Sequence, residues 1–416
     1  MLLLAIFWGW LAYNVWRPHK GKPELMGVAS FMFGFPTGEM ALHMIAIEAS
    51  IVLLVIWCGE LSGFSDMLAM IITFSSWIAL AAYHFRGALA KPTIENAIQE
   101  SLGEDYMDII PAERAAGFSY DVELADIVNP FAFKDPEVKV HKNIRYGFED
   151  GEKLFLDIYH HRNTPKNAPV LFQIHGGAWL EKMGNKDQQS LVLMKTLAKR
   201  GWVCVTVDYR LSPTHSWPAH MIDVKSALKW TKENIETYGG DPNFVLATGG
   251  SAGGHLSSLL ALTANDPTFQ PGFEDADTSV QGCVPFYGIY DLTNSYNQRG
   301  SSRSLDDLWA EKIYKENMFD KPEEYRQASP VFRVTEKAPP FLLIHGNNDT
   351  LARVEEAYAL RDALKAQEGL EVGYAEIDGA QHAFDLVVSP RNLHVINGIE
   401  RFGTALHERY LKNKES

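Results

Sequence analysis

The sequence predicts an α/β fold, with helices on both faces of a mostly parallel central sheet, preceded by an N-terminal transmembrane helical region. From about residue 130, short β-prone runs alternate with helical patterns, which indicates a parallel sheet. One of these runs, WVCVTVDYR at 202–210, is largely apolar throughout, as expected for a strand buried on both faces. The first ninety residues are different, because they contain three long apolar runs.

The length of 416 residues suits one large domain plus an appendage. We divide the chain into an anchor of two to three transmembrane helices at 1–90, a linker at 91–129 and an α/β domain at 130–416. The linker includes the run TIENAIQESLGEDYMDII, which predicts one amphipathic helix that ends near Pro111. We expect this segment to fold back as part of a lid.

Composition excludes several classes of function. The net charge is −14 and no basic stripe is present, which argues against a nucleic-acid partner. Cys58, Cys204 and Cys283 are odd in number and far apart, and no CxxC or Cys/His cluster occurs. Neither a disulfide framework nor a metal site is therefore predicted.

The three apolar runs lie at 1–16, 41–58 and 67–85. As helices, the last two would extend roughly 27–29 Å, close to the ~30 Å hydrocarbon core, whereas the first would reach only about 24 Å. A cleaved signal peptide is an alternative for the first run, but it lacks a basic start and an evident cleavage site. Buried helices that cover a soluble domain are a second alternative. We favour a multi-pass anchor.

Charges beside these runs predict the orientation of the anchor. Arg17, Lys20 and Lys22 follow the first run, and Arg86 and Lys91 follow the third, whereas the loop at 59–66 has no Lys or Arg. The excess of basic residues on cytoplasmic loops places the α/β domain in the cytoplasm and the N-terminus outside. The predicted localisation is a bacterial inner or cell membrane.

The α/β domain contains seven predicted strands. The predicted strands are KLFLDIYHH, PVLFQIHGG, WVCVTVDYR, NFVLATGG, VQGCVPFYGI, PFLLIHGNND and EVGYAEIDG. Helical patterns separate or follow them, namely SLVLMKTLAKRG, MIDVKSALKWTKENIETYGG, VEEAYALRDALKAQEG and a C-terminal helix. In such sheets, ligands bind beyond the carboxyl ends of the strands.

One of these ends carries the sequence GGSAG, in which Ser251 matches the G-x-S-x-G nucleophile elbow. The flanking glycines permit a sharp turn from strand to helix, which exposes the hydroxyl at a helix N-terminus. Five residues with two fixed glycines occur by chance in many proteins. The predicted strand before GGSAG and the predicted helix after it make the match more specific than the five residues alone.

A hydroxyl needs a base to remove its proton, and in this topology an acid and then a histidine should follow the serine. Asp349 comes just after a strand, and His382 lies 33 residues later in another loop that follows a strand. We predict Ser251, Asp349 and His382 as a catalytic triad, with His382 as base and Asp349 as its orienting acid. Asp378 and Asp385 are nearby acids that could replace Asp349.

The sequence QIHGGAW, which ends an earlier strand, supplies candidate donors for an oxyanion. We predict an oxyanion hole formed by the N–H groups of Gly176, Gly177 and Ala252. His175 is interpreted as a brace for this loop rather than as a second base. Trp179 is interpreted as a wall of the substrate pocket, with core packing as the alternative.

Taken together, the motifs HGGAW, DYRLSP, WPAH, YGGDP, GGSAGGHL, HGNND and DGAQHAF resemble the α/β-hydrolase carboxylesterases. The resemblance is to the hormone-sensitive-lipase-like group and its membrane-anchored bacterial esterases, and it covers roughly 130–410. It implies the α/β-hydrolase fold and cofactor-free hydrolysis of short- or medium-chain esters through an acyl-enzyme. It also implies the same triad and oxyanion residues. The stretch DYRLSPTHSWPAH departs from the group's usual pattern.

These observations predict a membrane-anchored serine ester hydrolase, whose partners are a small-molecule or lipid ester and the bilayer. The loop at 294–326 is expected to form part of the substrate pocket. An acyltransferase, a formamidase or a deacetylase could use the same triad. A non-catalytic membrane interaction protein is a further alternative, but the intact motifs argue against it.

Overall fold

A computed structural model describes residues 1–59, 63–299 and 304–415 of the chain. Its centre is an eight-stranded sheet with the strand order β1-β2-β4-β3-β5-β6-β7-β8. The strands are β1 Val138–Glu149, β2 Glu152–His161, β3 Ala168–Ile174, β4 Val203–Val207, β5 Gly240–Gly250, β6 Gly282–Phe286, β7 Phe341–Gly346 and β8 Val372–Ile377. Strands β3 to β8 are parallel, whereas β1 and β2 join the edge in antiparallel pairs.

The seven strands expected from the sequence are present, and β1 is an additional one. Strand β1 was missed because most of its side chains are exposed or half-buried, so it lacks the apolar run of the others. It is an edge strand that pairs only with β2 within the described residues. An edge position with solvent on its faces does not require an apolar pattern.

Helices cover both faces of the sheet, as the alternating pattern predicts. The helices of the α/β part are α5 Ala90–Leu102, α6 Ala112–Ala115, α7 Leu124–Ile127, α8 Leu191–Lys199, α9 Ala219–Asn234, α10 Ala252–Leu262, α11 Ser304–Leu308, α12 Pro322–Gln327, α13 Glu355–Lys365 and α14 Pro390–Glu415. Helices α9, α10 and α13 contribute to one apolar core, and α5, α8 and α14 contribute to the other. Successive residues of β4 alternate between these cores, because side chains point to opposite faces of a strand.

The segment 91–129 packs into this part of the molecule. Helix α5 lies against β8 and α14, and Ile94, Ala97 and Ile98 are buried there. The loops of the predicted acid and histidine are contacted by residues of the predicted anchor region, among them Gly27 and Phe31 of α2. The predicted pocket loop at 294–326 contains α11, a π-helical turn Trp309–Ile313 and α12, and its residues 300–303 lie outside the described residues.

The first ninety residues form α1 Leu2–Trp16, α2 Glu24–Glu39, α3 Ala41–Trp57 and α4 Phe64–Arg86. Helices α1 and α4 run in the same direction, since Gly9 approaches Ile72 and the Trp16 indole N–H donates to Ala79 O at 3.1 Å. Their C-terminal ends lie beside the α/β part. Within the described residues, most of the large apolar side chains that remain exposed belong to 1–89.

The helix lengths do not support the predicted multi-pass anchor. Among the described residues, one continuous helical stretch, Phe64–Leu102, is long and apolar enough to cross a bilayer, and it comprises α4, the 3₁₀ turn Gly87–Leu89 and α5. Helices α2 and α3 reach that length only as a pair, and a bend of 90° separates them. Helix α1 has 15 residues, which is short for a span. Residues 60–62 of the loop used for orientation lie outside the described part.

Candidate active site

Ser251 occupies the turn between β5 and α10. Its backbone has φ 57° and ψ −117°, a conformation that is unusual for a residue with a Cβ. The Ser251 N–H donates to Phe286 O at 3.0 Å, and the Ser251 carbonyl accepts from the His255 N–H at 3.0 Å. The turn is therefore fixed to β6 on one side and to its own helix on the other, as a nucleophile elbow requires.

The loop after β3 lies directly against this turn. A Cβ added at Gly176 would collide with the Gly250 carbonyl oxygen and would stand 3.2 Å from Ser251 Cβ. Only glycine allows such a close approach, which explains the Gly-Gly sequence at 176–177. The structure thus brings the predicted oxyanion loop and the predicted nucleophile together.

One predicted oxyanion donor is already engaged. The Gly176 N–H donates to Gln189 Oε1 at 2.6 Å, so this group does not point at an empty position, contrary to the prediction. The turn that follows has positive φ at Gly177, Ala178 and Trp179 and is closed by a bond from the Leu180 N–H to Gly177 O at 2.9 Å. The N–H groups of Gly177 and Ala178, together with that of Ala252 at the start of α10, are the candidate donors that we consider further.

His382 and Asp349 form the predicted pair. His382 Nδ1 lies 2.6 Å from Asp349 Oδ2, and the other carboxylate oxygen accepts the N–H groups of Leu351 and Ala352, each at 2.8 Å. Because a carboxylate can only accept, Nδ1 carries the proton and Nε2 is left free to accept one. This is the tautomer that a general base for serine needs.

A second imidazole contacts the same carboxylate. His345 Nε2 lies 3.4 Å from Asp349 Oδ2 and 2.9 Å from Ala352 O, and its side chain is buried. Burial alone would raise the pKa of Asp349, but the two imidazoles more than offset it, so the pKa lies below its usual range. Sequence reasoning missed His345, although it stands in the same HGNND motif as Asp349.

Tyr287 connects the two sides of the site. Its ring lies 4.5 Å from that of His382, and its hydroxyl would be 2.7 Å from a Cβ added at Gly250. The same hydroxyl donates to Asp385, which also accepts from Ser190 at 3.4 Å. Only the position of Tyr287 at the end of β6 could have drawn attention to it.

The two alternative acids have other partners. Asp385 is bound by Tyr287, and Asp378 forms an ion pair with Arg86 and accepts from Asn347 Nδ2 at 3.1 Å. The His382 Nδ1 proton goes to Asp349 instead. The geometry therefore favours the predicted acid over both neighbours.

His175 has the bracing position that the sequence suggested. Its ring stacks on Tyr209 with centroids 4.4 Å apart, and Nδ1 donates to Gly176 O at 2.7 Å. Burial lowers the pKa of His175 to about 4, so the imidazole is neutral at physiological pH. A neutral imidazole that bonds its own loop supports the backbone of the oxyanion turn.

Trp179 corrects the pocket-wall interpretation. The side chain is 1% exposed and packs against His255 and Trp309, with ring centroids 5.2 Å and 5.0 Å away. It belongs to the apolar core on the α10 face of the sheet. Trp179 thus anchors the loop that carries Gly177 instead of lining an open pocket.

A family profile described as BD-FAE matches residues 156–364, about half of the chain, and this range includes Ser251 and Asp349. The chain belongs to the BD-FAE family. This is a family of α/β-hydrolase esterases, in agreement with the resemblance seen in the motifs. His382 and the N-terminal helices lie outside the matched range.

Proteins from Mycobacterium tuberculosis are similar to this BD-FAE protein. The probable carboxylic ester hydrolase LipM is 48% identical over 262 residues, which cover 62% of this chain and 60% of LipM. Esterase LipQ is 37% identical over 327 residues, which cover 77% of this chain and 76% of LipQ. The names of these relatives place the hydrolase domain among the carboxylesterases. The alignments leave between a quarter and two fifths of each relative's length unmatched.

The solved structure of the esterase Est2 from Thermogutta terrifontis, with butyrate bound, has the same fold. It aligns with a TM-score of 0.53 at 22% identity, over 67% of this chain and 94% of that one. A truncated carbohydrate esterase from gut microbiota aligns with a TM-score of 0.53 at 20% identity, over 66% and 99% of the two chains. At these identities the likeness establishes the α/β-hydrolase fold.

The N-terminal helices of the BD-FAE protein contact both loops that carry the acid and the histidine. Thr350 Oγ1 donates to Gly27 O at 2.8 Å, and Asn348 Nδ2 donates to Val15 O at 2.8 Å. On the histidine loop, Asp378 pairs with Arg86, and Gly379 O accepts from the Tyr83 hydroxyl. Residues 347–350 and 378–382 are therefore held from the N-terminal side.

A cavity of about 420 Å³ lies between the N-terminal segment and the loop of Asp349. Its lining includes Lys20, Lys22, Glu24, Gly27, Val28, Ile289, Arg299, Leu305, Asp349, Thr350, Leu351, Arg353 and Glu356. Within the described residues, no group of three or more His, Cys, Asp or Glu side chains could hold a metal ion.

Proposed function

We propose that the protein is a serine carboxylic-ester hydrolase that acts on short- to medium-chain acyl esters through an acyl-enzyme. The observation that carries the proposal is the Asp349–His382 pair, with its 2.6 Å bond, on the same edge of the sheet as the strained turn of Ser251. The names of the relatives support the ester-hydrolase class. The roles of Ser251, Asp349 and His382 are part of the proposal.

In the first half of the reaction, Ser251 Oγ attacks the ester carbonyl and its proton passes to His382 Nε2. The tetrahedral intermediate carries a negative charge on the former carbonyl oxygen. The N–H groups of Gly177, Ala178 and Ala252 stabilise this charge, and the N-terminus of α10 adds a favourable dipole. His382 then returns its proton to the departing alcohol, which leaves an acyl group on Ser251.

In the second half, water attacks the acyl-enzyme while His382 accepts its proton. Asp349 stays ionised throughout and stabilises the imidazolium that forms twice in each cycle. The lowered pKa of Asp349 suits this role, because the carboxylate keeps its charge over the whole working range of pH. The second tetrahedral intermediate collapses to release the acid and restore the Ser251 hydroxyl.

We further propose that the N-terminal helical region attaches the hydrolase domain to a membrane, with α4 as the crossing helix and the hydrolase on the cytoplasmic side. Only 22% of the most apolar window of this helix is buried, unlike a core helix of a soluble domain. Exposed apolar side chains on α1, α3 and α4 suit a lipid environment. Arg17, Lys20 and Lys22 beside the hydrolase end of α1 agree with this orientation.

The full chain, purified in detergent and assayed on p-nitrophenyl butyrate, tests the proposed activity. We expect turnover that falls at least about 10⁴-fold in Ser251→Ala, and covalent labelling by a fluorophosphonate that is absent in the same variant. Ser258→Ala is a matched control, because this buried serine lies on α10 away from the turn. Equal turnover in wild type and Ser251→Ala would show that the proposed nucleophile is wrong.

A further inference from the structure

Helix α2 lies across both catalytic loops with one face. Gly27, Phe31 and Gly34 are spaced by three or four residues and so share that face. Phe31 stands edge-on to His382, with ring centroids 6.0 Å apart. A Cβ added at Gly27 would be 3.2 Å from Thr350 O, and one added at Gly34 would be 3.7 Å from Gln381 Nε2. The helix is therefore in direct contact with the acid loop and with the histidine loop.

The cavity of about 420 Å³ begins at the same face. Gly27 and Val28 line it, and Phe31 lies one helical turn further along toward His382. Its apolar lining also includes Ile289, Leu305 and Leu351. Binding pockets for small molecules have volumes of about 300–1,000 Å³, so a medium-length acyl chain is a suitable occupant.

The charged groups of the lining favour an anion. Lys20, Lys22 and Arg353 form no ion pair with the described residues, although Lys20 donates to Asn347 O and Arg353 donates to Gln298 O at 3.3 Å. The remaining cation, Arg299, is paired with Glu356 and Asp306.

The acids of the lining do not balance these cations. Asp349 is bound to His382, and Glu356 is bound to Arg299. Glu24 is the third acid among the described lining residues, and it is engaged as well. Lys20 and Lys22 are exposed, and the carboxylates of Asp349, Glu355 and Glu376 act on the charge of Lys20. Lys22 and Arg353 are therefore the lining cations without a carboxylate partner among the described residues, and a charge-bearing ligand would complement them.

We propose that the space beneath α2 is the substrate pocket, and that its preferred substrates are medium-chain acyl esters with an anionic group on the acyl chain. Phe31 determines the preference for chain length, because its ring stands edge-on to His382 and lies one helical turn from Gly27, which lines the cavity. Lys22 and Arg353 determine the preference for the anion. This inference rests on the proposed esterase function and adds its substrate class.

The first test measures chain-length preference with Phe31→Ala and Phe31→Leu on p-nitrophenyl acetate and octanoate. We expect Phe31→Ala to lower kcat/KM for octanoate about tenfold more than for acetate, since several methylene contacts are lost. Phe31→Leu should recover most of that difference. Phe33→Ala is the matched control, because Phe33 lies on the same helix but contacts Phe7 and Trp10. Equal chain-length preference in wild type and Phe31→Ala would overturn the role of α2.

The second test compares p-nitrophenyl octanoate with the mono-p-nitrophenyl ester of suberic acid, which has the same chain length and a terminal carboxylate. We expect wild type to prefer the suberate ester, and Lys22→Glu to lower the suberate-to-octanoate ratio of kcat/KM about fivefold. Lys337→Glu changes the net charge equally, but Lys337 precedes β7 and so lies at the amino ends of the parallel strands, away from the catalytic loops at their carboxyl ends. It should keep the wild-type ratio.

Two further outcomes complete the second test. An unchanged ratio in Lys22→Glu would overturn the anionic preference. If Lys22→Glu instead lowered the rates on both esters equally, and only with phosphatidylglycerol vesicles present, the cations would bind lipid headgroups and the proposal would again be wrong. Wild type that is inactive on every ester would contradict the proposed function itself, so the two failures remain distinguishable.

Discussion

The two sides of the catalytic site are built in different ways. On the nucleophile side, Ser251 follows β5 and Gly176 follows the neighbouring β3, so strands that are adjacent in the sheet bring the two turns together. On the acid and histidine side, the loops are held by residues far away in the sequence. Thr350 bonds to Gly27 across 323 positions, and Asp378 bonds to Arg86 across 292.

This difference shows which parts of the site depend on the N-terminal helices. The nucleophile turn is determined by its own backbone geometry and by β6, whereas the loops of Asp349 and His382 have one face against α1, α2 and α4. A change in the N-terminal helices should therefore affect the orientation of the base more than the geometry of the serine turn. The four experiments below test this comparison.

The largest effect is expected for Asp349→Asn. The amide cannot hold His382 in the required tautomer, so kcat should fall about 10⁴-fold, equivalent to about 5 kcal/mol. Steady-state kinetics on p-nitrophenyl butyrate measure the loss. Asp378→Asn, on the histidine loop itself, is the control and should lose far less. A rate in Asp349→Asn close to that of wild type would mean that another acid orients His382.

The second-largest expected effect is a loss of folding stability at acidic pH, and it originates on the nucleophile side. The backbone N–H of His255 donates to Ser251 O, and the His255 side chain is fully buried. Burial lowers the pKa of its imidazole to about 4 from the ordinary 6.5. The unfolded chain therefore binds a proton first, and stability falls as the pH drops from 6.5 towards 4. The expected contribution is about 3 kcal/mol.

The thermal midpoint of the full chain at pH 7.5 and pH 4.5 measures this effect. His255→Gln keeps a donor for Ala328 O but cannot be protonated, so its midpoint should depend less on pH than that of wild type. His161→Gln is the control, because this residue ends β2 and is half-exposed. The same pH dependence in all three proteins would contradict the assignment of acid sensitivity to His255.

Tyr287→Phe tests the connection between the two sides. Loss of the hydroxyl removes a donor from the buried Asp385, whose pKa burial already raises, and we expect a loss of stability of about 2 kcal/mol. The ring that packs on His382 is retained, so kcat should change less than fivefold. Thermal unfolding and steady-state kinetics on the same sample separate the two effects.

Tyr238→Phe controls for the loss of a tyrosine hydroxyl, since this residue packs on His141 at the far edge of the sheet. The interpretation of Tyr287 is wrong if kcat falls by orders of magnitude while stability is unchanged. In that case the hydroxyl would act in the reaction itself.

Arg86→Ala has the smallest expected effect and tests the remote bracing directly. Loss of its two bonds to Asp378 should let the histidine loop shift, which we expect to lower kcat about tenfold, or about 1.4 kcal/mol. Kinetics on p-nitrophenyl butyrate measure the change. Lys91→Ala removes an exposed ion pair with Asp121 and should have no measurable effect. Equal rates in both variants would show that the histidine loop does not need the Arg86–Asp378 ion pair.

The sequence predicted the α/β fold and seven of the eight strands, because buried parallel strands produce apolar runs that are visible without any structure. It also placed Asp349 and His382 in loops at one edge of the sheet, and the structure joins them by a hydrogen bond. The assignment of the full triad stays a prediction that the Ser251 and Asp349 variants test. Motif order and strand position were sufficient for this much.

Several features of the site could not be obtained in that way. Gly176 fits the oxyanion motif, but its N–H donates to Gln189 Oε1. Trp179 has the side chain expected of a pocket wall, but its indole is buried in the core. Both residues have the chemistry expected of the motif. Their roles depend on the residues that contact them in the folded chain, which are Gln189 for Gly176, and His255 and Trp309 for Trp179. None of these residues is adjacent in the sequence.

The sequence by itself determined the seven apolar strands and most of the long helices, since hydrophobic periodicity and glycine placement are local properties. It did not reveal the edge strand β1 or helix α2. Only the tertiary structure decided that α2 covers His382, that Tyr287 joins the two sides and that Arg86 holds the histidine loop. The physical reason is that these are single contacts between residues tens to hundreds of positions apart. A single contact of this kind leaves no periodic pattern in the sequence of either segment.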